Sequence, residues 1–430
     1  MGTKNLNLAD SEKNDPGSEQ HGDLVSDANR KPRLRIGPGL LVTAAFIGPG
    51  TIVMASRAGA EFGTGLLWTI VVSVFGAIVL QNLAARVGIL NRCGLGEFLY
   101  TRFSGSAVFV PIACLVIAAM GIGNSAYQTG NLVGASAGAG VLLPFGSKAV
   151  VLLVSVLAMA LLWAGTLRVL QWVLIAMVCL LSLAFIVAVP LTTESWSQLL
   201  ATAMQPTFSA ESVTLVIALV GTTIVPYNLF LHASSAASNW EGVDRSVALS
   251  ESRLDTLLSI SLGGVVTASV LLTATNAFYF QQETLDGVGD ISEQLRPLFG
   301  NASTLCFSIG LFAAGFTSSL TAPLATAYAI CGVLHWSREE HLLRFRLIAV
   351  GTCIAGASFA LLFGSAPAQT ILVAQVTNGL MLPIIAGVVL WAALHRSEEA
   401  RLTRGQQANA ILVVTAVALL ALWKLAGLVW

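Results

Sequence analysis

Gly48-Pro49-Gly50-Thr51 and Val225-Pro226-Tyr227-Asn228 each sit in the middle of an apolar run long enough to cross a bilayer. Proline removes a backbone donor and clashes with the preceding turn, and glycine loosens the chain. Both runs therefore read as helices interrupted at mid-membrane. Backbone groups freed at that depth are tolerated only where they are buried in protein or line a cavity. A matched pair of interruptions marks a shared polar site.

Outward from these two stretches, the sequence divides into eleven apolar segments, at 38–60, 65–88, 107–141, 148–165, 169–191, 212–238, 256–280, 302–335, 346–364, 368–394 and 408–429. Each approaches or exceeds the ~20 residues that a helix needs to span about 30 Å of hydrocarbon. Of the 430 residues, 55% are hydrophobic and only 10% charged, against about 25% charged in a soluble domain, so a water-facing globule is excluded. The expected class is an all-α polytopic membrane protein, with the lipid bilayer as its surroundings. Net charge is zero, which argues against a nucleic-acid partner.

Eighteen of the 22 Lys and Arg fall in residues 1–36 or in alternate loops and helix ends, among them Arg86, Arg92, Arg102, Arg253, Arg344 and Arg404. By the positive-inside rule these loops are cytoplasmic, the N-terminus is cytoplasmic and the C-terminus lies outside. The loop 281–300 is acidic instead, with Glu283, Asp286, Asp290 and Glu293, and falls outside. An inner or plasma membrane location is expected. Residues 1–36 are polar and read as a disordered tail, without a signal-peptide h-region. The six cysteines show no C-x-x-C or zinc spacing, so neither a disulfide framework nor a metal knuckle is expected. Oligomeric state leaves no trace in the sequence.

The two interruptions occupy the first and sixth of the eleven segments. This makes them equivalent members of two five-helix halves, 37–192 and 211–395, followed by an extra helix at 408–429. An inverted repeat with one broken helix per half is the arrangement in which transporters build a midplane site. The expected lining starts from the residues of the interruptions themselves, Gly48, Gly50, Thr51, Val225, Tyr227 and Asn228, to which the family resemblance below adds Thr222 and Gln375.

From residue 36 onward the sequence resembles the Nramp family of proton-coupled divalent-metal transporters. Gly37-Pro38-Gly39-Leu40-Leu41-Val42 looks like the family's opening of helix 1. Gly48-Pro49-Gly50-Thr51 sits where the family has Asp-Pro-Gly-Asn, and Val225-Pro226-Tyr227-Asn228-Leu229-Phe230-Leu231-His232 where it has Met-Pro-His-Asn-Leu-Tyr-Leu-His. Gly310-Leu311-Phe312-Ala313-Ala314-Gly315 resembles helix 8, and Gln375-Val376 with Leu382-Pro383 resembles helix 10. The resemblance implies a LeuT-like 5+5 inverted repeat of 11 transmembrane helices, with helices 1 and 6 broken, working by alternating access. No catalytic residue and no cofactor is implied, and no enzyme active site is expected.

The same alignment locates the departures. Gly48, Thr51 and Val225 replace the family's metal-binding Asp, Asn and Met, while Thr222 still offers its backbone carbonyl. Gln128 and Asn131 stand at an acidic pair linked to proton movement, and Arg57 at a helix-1 Glu. Arg57 is spaced to pair with Glu61 one turn on, and His232 is kept. No Asp or Glu lies mid-span in the sequence, so a bare dication meets only neutral oxygens and the metal ligand set is left open. The family points to a divalent cation, Mg²⁺ or Mn²⁺. The residue chemistry points to a small neutral, zwitterionic or anionic solute carried without protons, and a non-transporting sensor is a further alternative.

Overall fold

The computed structural model describes residues 47–165, 168–337, 341–394 and 402–429, and all regular structure among them is helical. The expected tail 1–36 and the first half of segment one lie outside the described residues. Twelve helices carry the architecture: α1 Pro49–Phe62, α2 Leu67–Asn91, α3 Phe109–Gly140 with a π turn at Ala119–Gly123, α4 Ser147–Ala164, α5 Val169–Thr192, and α6 Val213–Thr223. They continue with α7 Pro226–Asn239, α8 Arg245–Tyr279, α9 Ser303–Val333, α10 Leu342–Phe363, α11 Pro367–Leu394 and α12 Arg404–Val429.

Ten helical stretches among the described residues are long and apolar enough to cross a membrane, against the eleven segments expected. The difference lies at one place. Gly63–Leu66 closes a 3₁₀ turn between α1 and α2, so segments one and two run on as a single stretch, Pro49–Asn91. The seventh segment also begins earlier than expected, at Arg245 rather than 256, because Asp244 caps it by accepting from the amides of Ser246 and Val247. The hydroxyl of Ser246 donates to the same carboxyl at 2.6 Å and holds Asp244 below the usual carboxylate range.

Both interruptions have the same build. Gly48 is extended (φ −93°, ψ −179°) and Pro49 takes the first turn of α1; Val225 is extended (φ −77°, ψ 120°) and Pro226 takes the first turn of α7. A proline suits that position because its missing N–H has no acceptor there and its φ is already helical. α1 and α7 are each 14 residues long.

The helices then pack across the chain: α1 on α8 and α6, α2 on α7 and α8, α3 on α9, α4 on α10 and α5 on α9 and α8, while α11 closes over α3 and α6. The helices approach closely where side chains are small. At Gly59 a Cβ would lie 2.2 Å from the backbone oxygen of Leu271 and 2.7 Å from the Cβ of Ala274. Neither atom can swing away. Gly59→Ala is therefore expected to force α1 off α8 and to cost about 1–3 kcal/mol, read as a lower Tm of the purified protein. An unchanged Tm would mean that this contact is looser than its geometry.

Large apolar residues on the outer surfaces, such as Val71, Phe75, Leu180, Leu362 and Leu412, are exposed. In a water-soluble protein such a surface would be a liability; here it is the face turned to lipid.

Candidate functional site at the two helix breaks

The two interruptions meet. Thr51, three residues past Gly48 in sequence, places its Oγ1 2.9 Å from the Oγ1 of Thr222 in the last turn of α6. The side-chain amide of Asn378 on α11 donates to the backbone oxygen of Gly221 at 2.7 Å, satisfying one of the carbonyls freed where α6 ends. Gln375, one turn earlier on α11, lies directly against Gly50: a Cβ built there would be 2.3 Å from Nε2 of Gln375. α3 closes the third side, since a Cβ on Gly134 would meet Pro49 at 2.3 Å. α9 supplies Ser318, whose Oγ is 3.1 Å from the Cβ position of Gly48.

All of this is buried. Thr51, Thr222, Thr223, Asn131, Asn228, Ser318 and Gln375 are each 2% exposed or less. Several of their polar atoms have no partner among the described residues: Oδ1 of Asn131 and of Asn228, Oγ1 of Thr223, Oγ of Ser318, and both Nε2 and Oε1 of Gln375. Leaving one such atom unpaired costs about 1–3 kcal/mol. Six in one neighbourhood is the signature of a site that binds something polar. Tyr127 and Tyr227 form one wall, with ring centroids 5.4 Å apart.

The expected site residues divide into two groups. Gly48, Gly50, Thr51, Thr222, Tyr227, Asn228 and Gln375 lie at or beside the breaks as expected. Val225 is fully buried there but carries no polar side-chain atom. Asn131 donates to Gln128 (3.4 Å), and Gln128 donates to the backbone oxygen of Ser319 at 3.0 Å, so at the acidic-pair positions one amide, steadied by the other, ties α3 to α9. His232 and Arg57 point elsewhere. Nε2 of His232 faces Oγ1 of Thr256 on α8 at 3.3 Å, and Arg57 forms the expected i, i+4 pair with Glu61 at 2.7 Å, at the partly exposed far end of α1.

Two buried carboxyls, Glu251 and Asp255, sit inside the continuous α8, where the sequence had suggested a helix end. Glu251 accepts from Trp240 Nε1 at 3.1 Å, near the end of α7 remote from its break. Glu211 is exposed. Among the described residues no group of three or more His, Cys, Asp or Glu could hold a metal. Neither Tyr127 nor Ser318 was expected as a site residue, although Ser318-Ser319-Leu320-Thr321 belongs to the stretch that resembles helix 8 of the family. The i, i+4, i+7 spacing of Tyr127, Asn131 and Gly134 could have revealed the first; Ser318 becomes a site residue only through the packing of α9.

Comparison with known proteins agrees with this fold. The family model described as "Natural resistance-associated macrophage protein-like" matches residues 39–427. The divalent metal cation transporter MntH 1 of Pseudomonas aeruginosa is 29% identical over 408 residues, covering 89% of this chain and 88% of that protein. MntH of Verminephrobacter eiseniae is 25% identical over 373 residues, covering 84% and 81%. Among solved structures, the manganese transporter of Eremococcus coleocola superposes with a TM-score of 0.69 at 21% identity, covering 91% of this chain and 86% of that one. Mhp1, a nucleobase-cation-symport-1 family transporter with bromovinylhydantoin bound, gives 0.57 at 12% identity, covering 94% and 95%. These likenesses bear out the LeuT-like architecture with two broken helices. With its family model matched over nearly its whole length, the chain belongs to the Nramp family of membrane proteins.

Proposed function

We propose that this chain is a secondary transporter of the plasma membrane that moves a divalent metal cation by alternating access, and that the ion travels with most of its water shell. The observation that carries the reading is the meeting of the two breaks at Thr51 and Thr222, ringed by unpartnered oxygens. The relatives named as divalent metal cation transporters support the cargo class. The donor set restricts it. Hydroxyl, amide and carbonyl oxygens are hard, neutral ligands; they suit Mg²⁺, which gives up its waters reluctantly. Stripping Mn²⁺ or Fe²⁺ bare without an opposing charge costs many kcal/mol, and these ions favour carboxylate, imidazole or sulfur.

A second reading, a small uncharged or zwitterionic solute, is favoured by one specific feature. Nε2 of Gln375 is a buried, unpartnered donor, which no cation can accept. Titration calorimetry and uptake into proteoliposomes separate the two. Heat and uptake with Mg²⁺ exceeding those with Mn²⁺ support the hydrated-cation reading. Silence with both ions, alongside uptake of an uncharged amide or heterocycle, replaces it with the second.

Coupling follows from the same chemistry. Gln128 and Asn131 carry no exchangeable charge, so no proton moves with the cargo along that route. Cargo-driven uptake is expected to leave the lumenal pH of proteoliposomes unchanged, read with an entrapped pH dye. Acidification that tracks uptake would overturn this, and His232 would then be the residue to replace.

A further inference from the structure

We propose that the seam between α2 and α12 binds one anionic phospholipid, its phosphate at the basic end of the helices and an acyl chain along the groove above it. A cavity of about 250 Å³ opens between the ends of α2, α8 and α12, on the side that the basic loops assign to the cytoplasm. Its polar lining includes Asn82, Arg86, Ser252, Arg253 and Gln406, over an apolar floor of Ile78 and Leu83. Ser252 is only 2% exposed, yet its Oγ has no partner among the described residues. Arg253 is exposed, and no hydrogen bond or ion pair to a described residue holds it.

Two guanidinium groups and a buried free hydroxyl on one cavity form a phosphate-binding set, since arginine recognises phosphate through charge-assisted, bidentate bonds. Arg86 also has a partner within the protein, so the charge available to a ligand comes first from Arg253. The acids nearest in sequence do not cancel it. Glu251 and Asp255 are buried and do not line the cavity, and Glu251 is engaged by Trp240.

The shape identifies a lipid rather than a free anion. A second, apolar cavity of about 240 Å³ lies further along the same two helices, lined by Trp68, Val72 and Phe75 of α2 and by Leu412 and Leu420 of α12. Basic pockets between membrane helices take anionic headgroups, and the ~21 Å that α2 rises between Arg86 and Val72 is about the length of an acyl chain. Ile224, at the break between α6 and α7, forms part of the groove wall. A seated chain thus touches the element that must move in transport.

The test uses the full-length protein in detergent with equimolar phosphatidylglycerol and phosphatidylcholine, read by native mass spectrometry. Retention of phosphatidylglycerol about tenfold over phosphatidylcholine is expected, falling at least fivefold in Arg253→Gln and in Ser252→Ala with Tm unchanged. Phosphatidylglycerol brominated on its acyl chain should quench the wild type more than Trp68→Phe, which places the chain in the groove. Equal retention of the two lipids, or retention indifferent to Arg253→Gln, overturns the proposal. Displacement of phosphatidylglycerol by millimolar inorganic phosphate assigns the cavity to a soluble anion and also overturns it. Since none of these readouts involves cargo, the outcome is independent of what the central site carries.

Discussion

Gly48→Asp combined with Val225→Met is expected to raise the affinity of this chain for Mn²⁺ by about 100-fold or more, an added ~3 kcal/mol of binding free energy. The gain comes from charge. In the unmodified protein the breaks offer a dication only neutral oxygens, and the desolvation it must suffer goes uncompensated. An aspartate at position 48 is compatible with the backbone, whose extended φ of −93° any residue adopts. The position is the N-cap of α1, where a carboxylate also accepts from the free amides of the first turn and gains from the helix dipole. Its Cβ would approach Ser318 Oγ at 3.1 Å and Tyr127 Oη at 3.5 Å, both hydroxyls able to shift by a few tenths of an ångström.

Val225→Met adds a soft sulfur ligand that favours a transition ion over Mg²⁺, at the cost of filling a fully buried position. Alone it is expected to change little, because a thioether brings no charge. Calorimetry with MnCl₂ and MgCl₂ on the four proteins of the cycle checks this. A folded double variant, with the Tm of the parent, that still gives no heat with Mn²⁺ would show that the breaks do not present their side chains to a common point.

The contrast between what the sequence revealed and what it concealed has a physical pattern. Pro49 and Pro226 were legible because a proline restricts the backbone whatever its surroundings, and the structure starts a helix on each. The Arg57–Glu61 pair was legible because i, i+4 spacing is local geometry. Hydropathy located the spans but misplaced the start of α8, since a helix continues past the apolar stretch when a cap such as Asp244 supports it. Its separation of α1 from α2 matches the structure, where Gly63 (φ 56°) ends α1 and a 3₁₀ turn, Gly63–Leu66, leads into α2.

Long-range packing was the part the sequence did not contain. That Ser318 lies over Gly48, that Tyr127 lies beside Tyr227 and that His232 turns to Thr256 depend on which helices meet. The absence of a carboxylate from the breaks was readable, because composition within a span is a local property; the number of unpartnered amides and hydroxyls gathered there was not.

Gly50→Ala is expected to reduce transport at least tenfold while leaving the protein folded, and the reason lies in Gln375. The added Cβ would stand 2.3 Å from Nε2, 2.5 Å from Cδ and 3.0 Å from Cγ of that side chain. Something must move, and what moves is a flexible carboxamide whose polar atoms have no partner among the described residues. The global fold therefore loses little, and Tm should fall by only a few degrees. The cargo loses more, because the carboxamide is displaced from the place where it faces the meeting point of the breaks.

A double-mutant cycle isolates this coupling. Gln375→Ala removes the group outright and should itself impair transport to a similar degree. With the side chain already gone, Gly50→Ala has nothing left to displace, so the double variant should transport no worse than Gln375→Ala alone. Initial uptake rates into proteoliposomes for the four proteins decide the matter. If the two losses multiply, Gly50 matters for a reason other than Gln375, such as the backbone freedom of the first turn of α1. If the double variant matches the single one, Gln375 is the group through which the break reads its cargo.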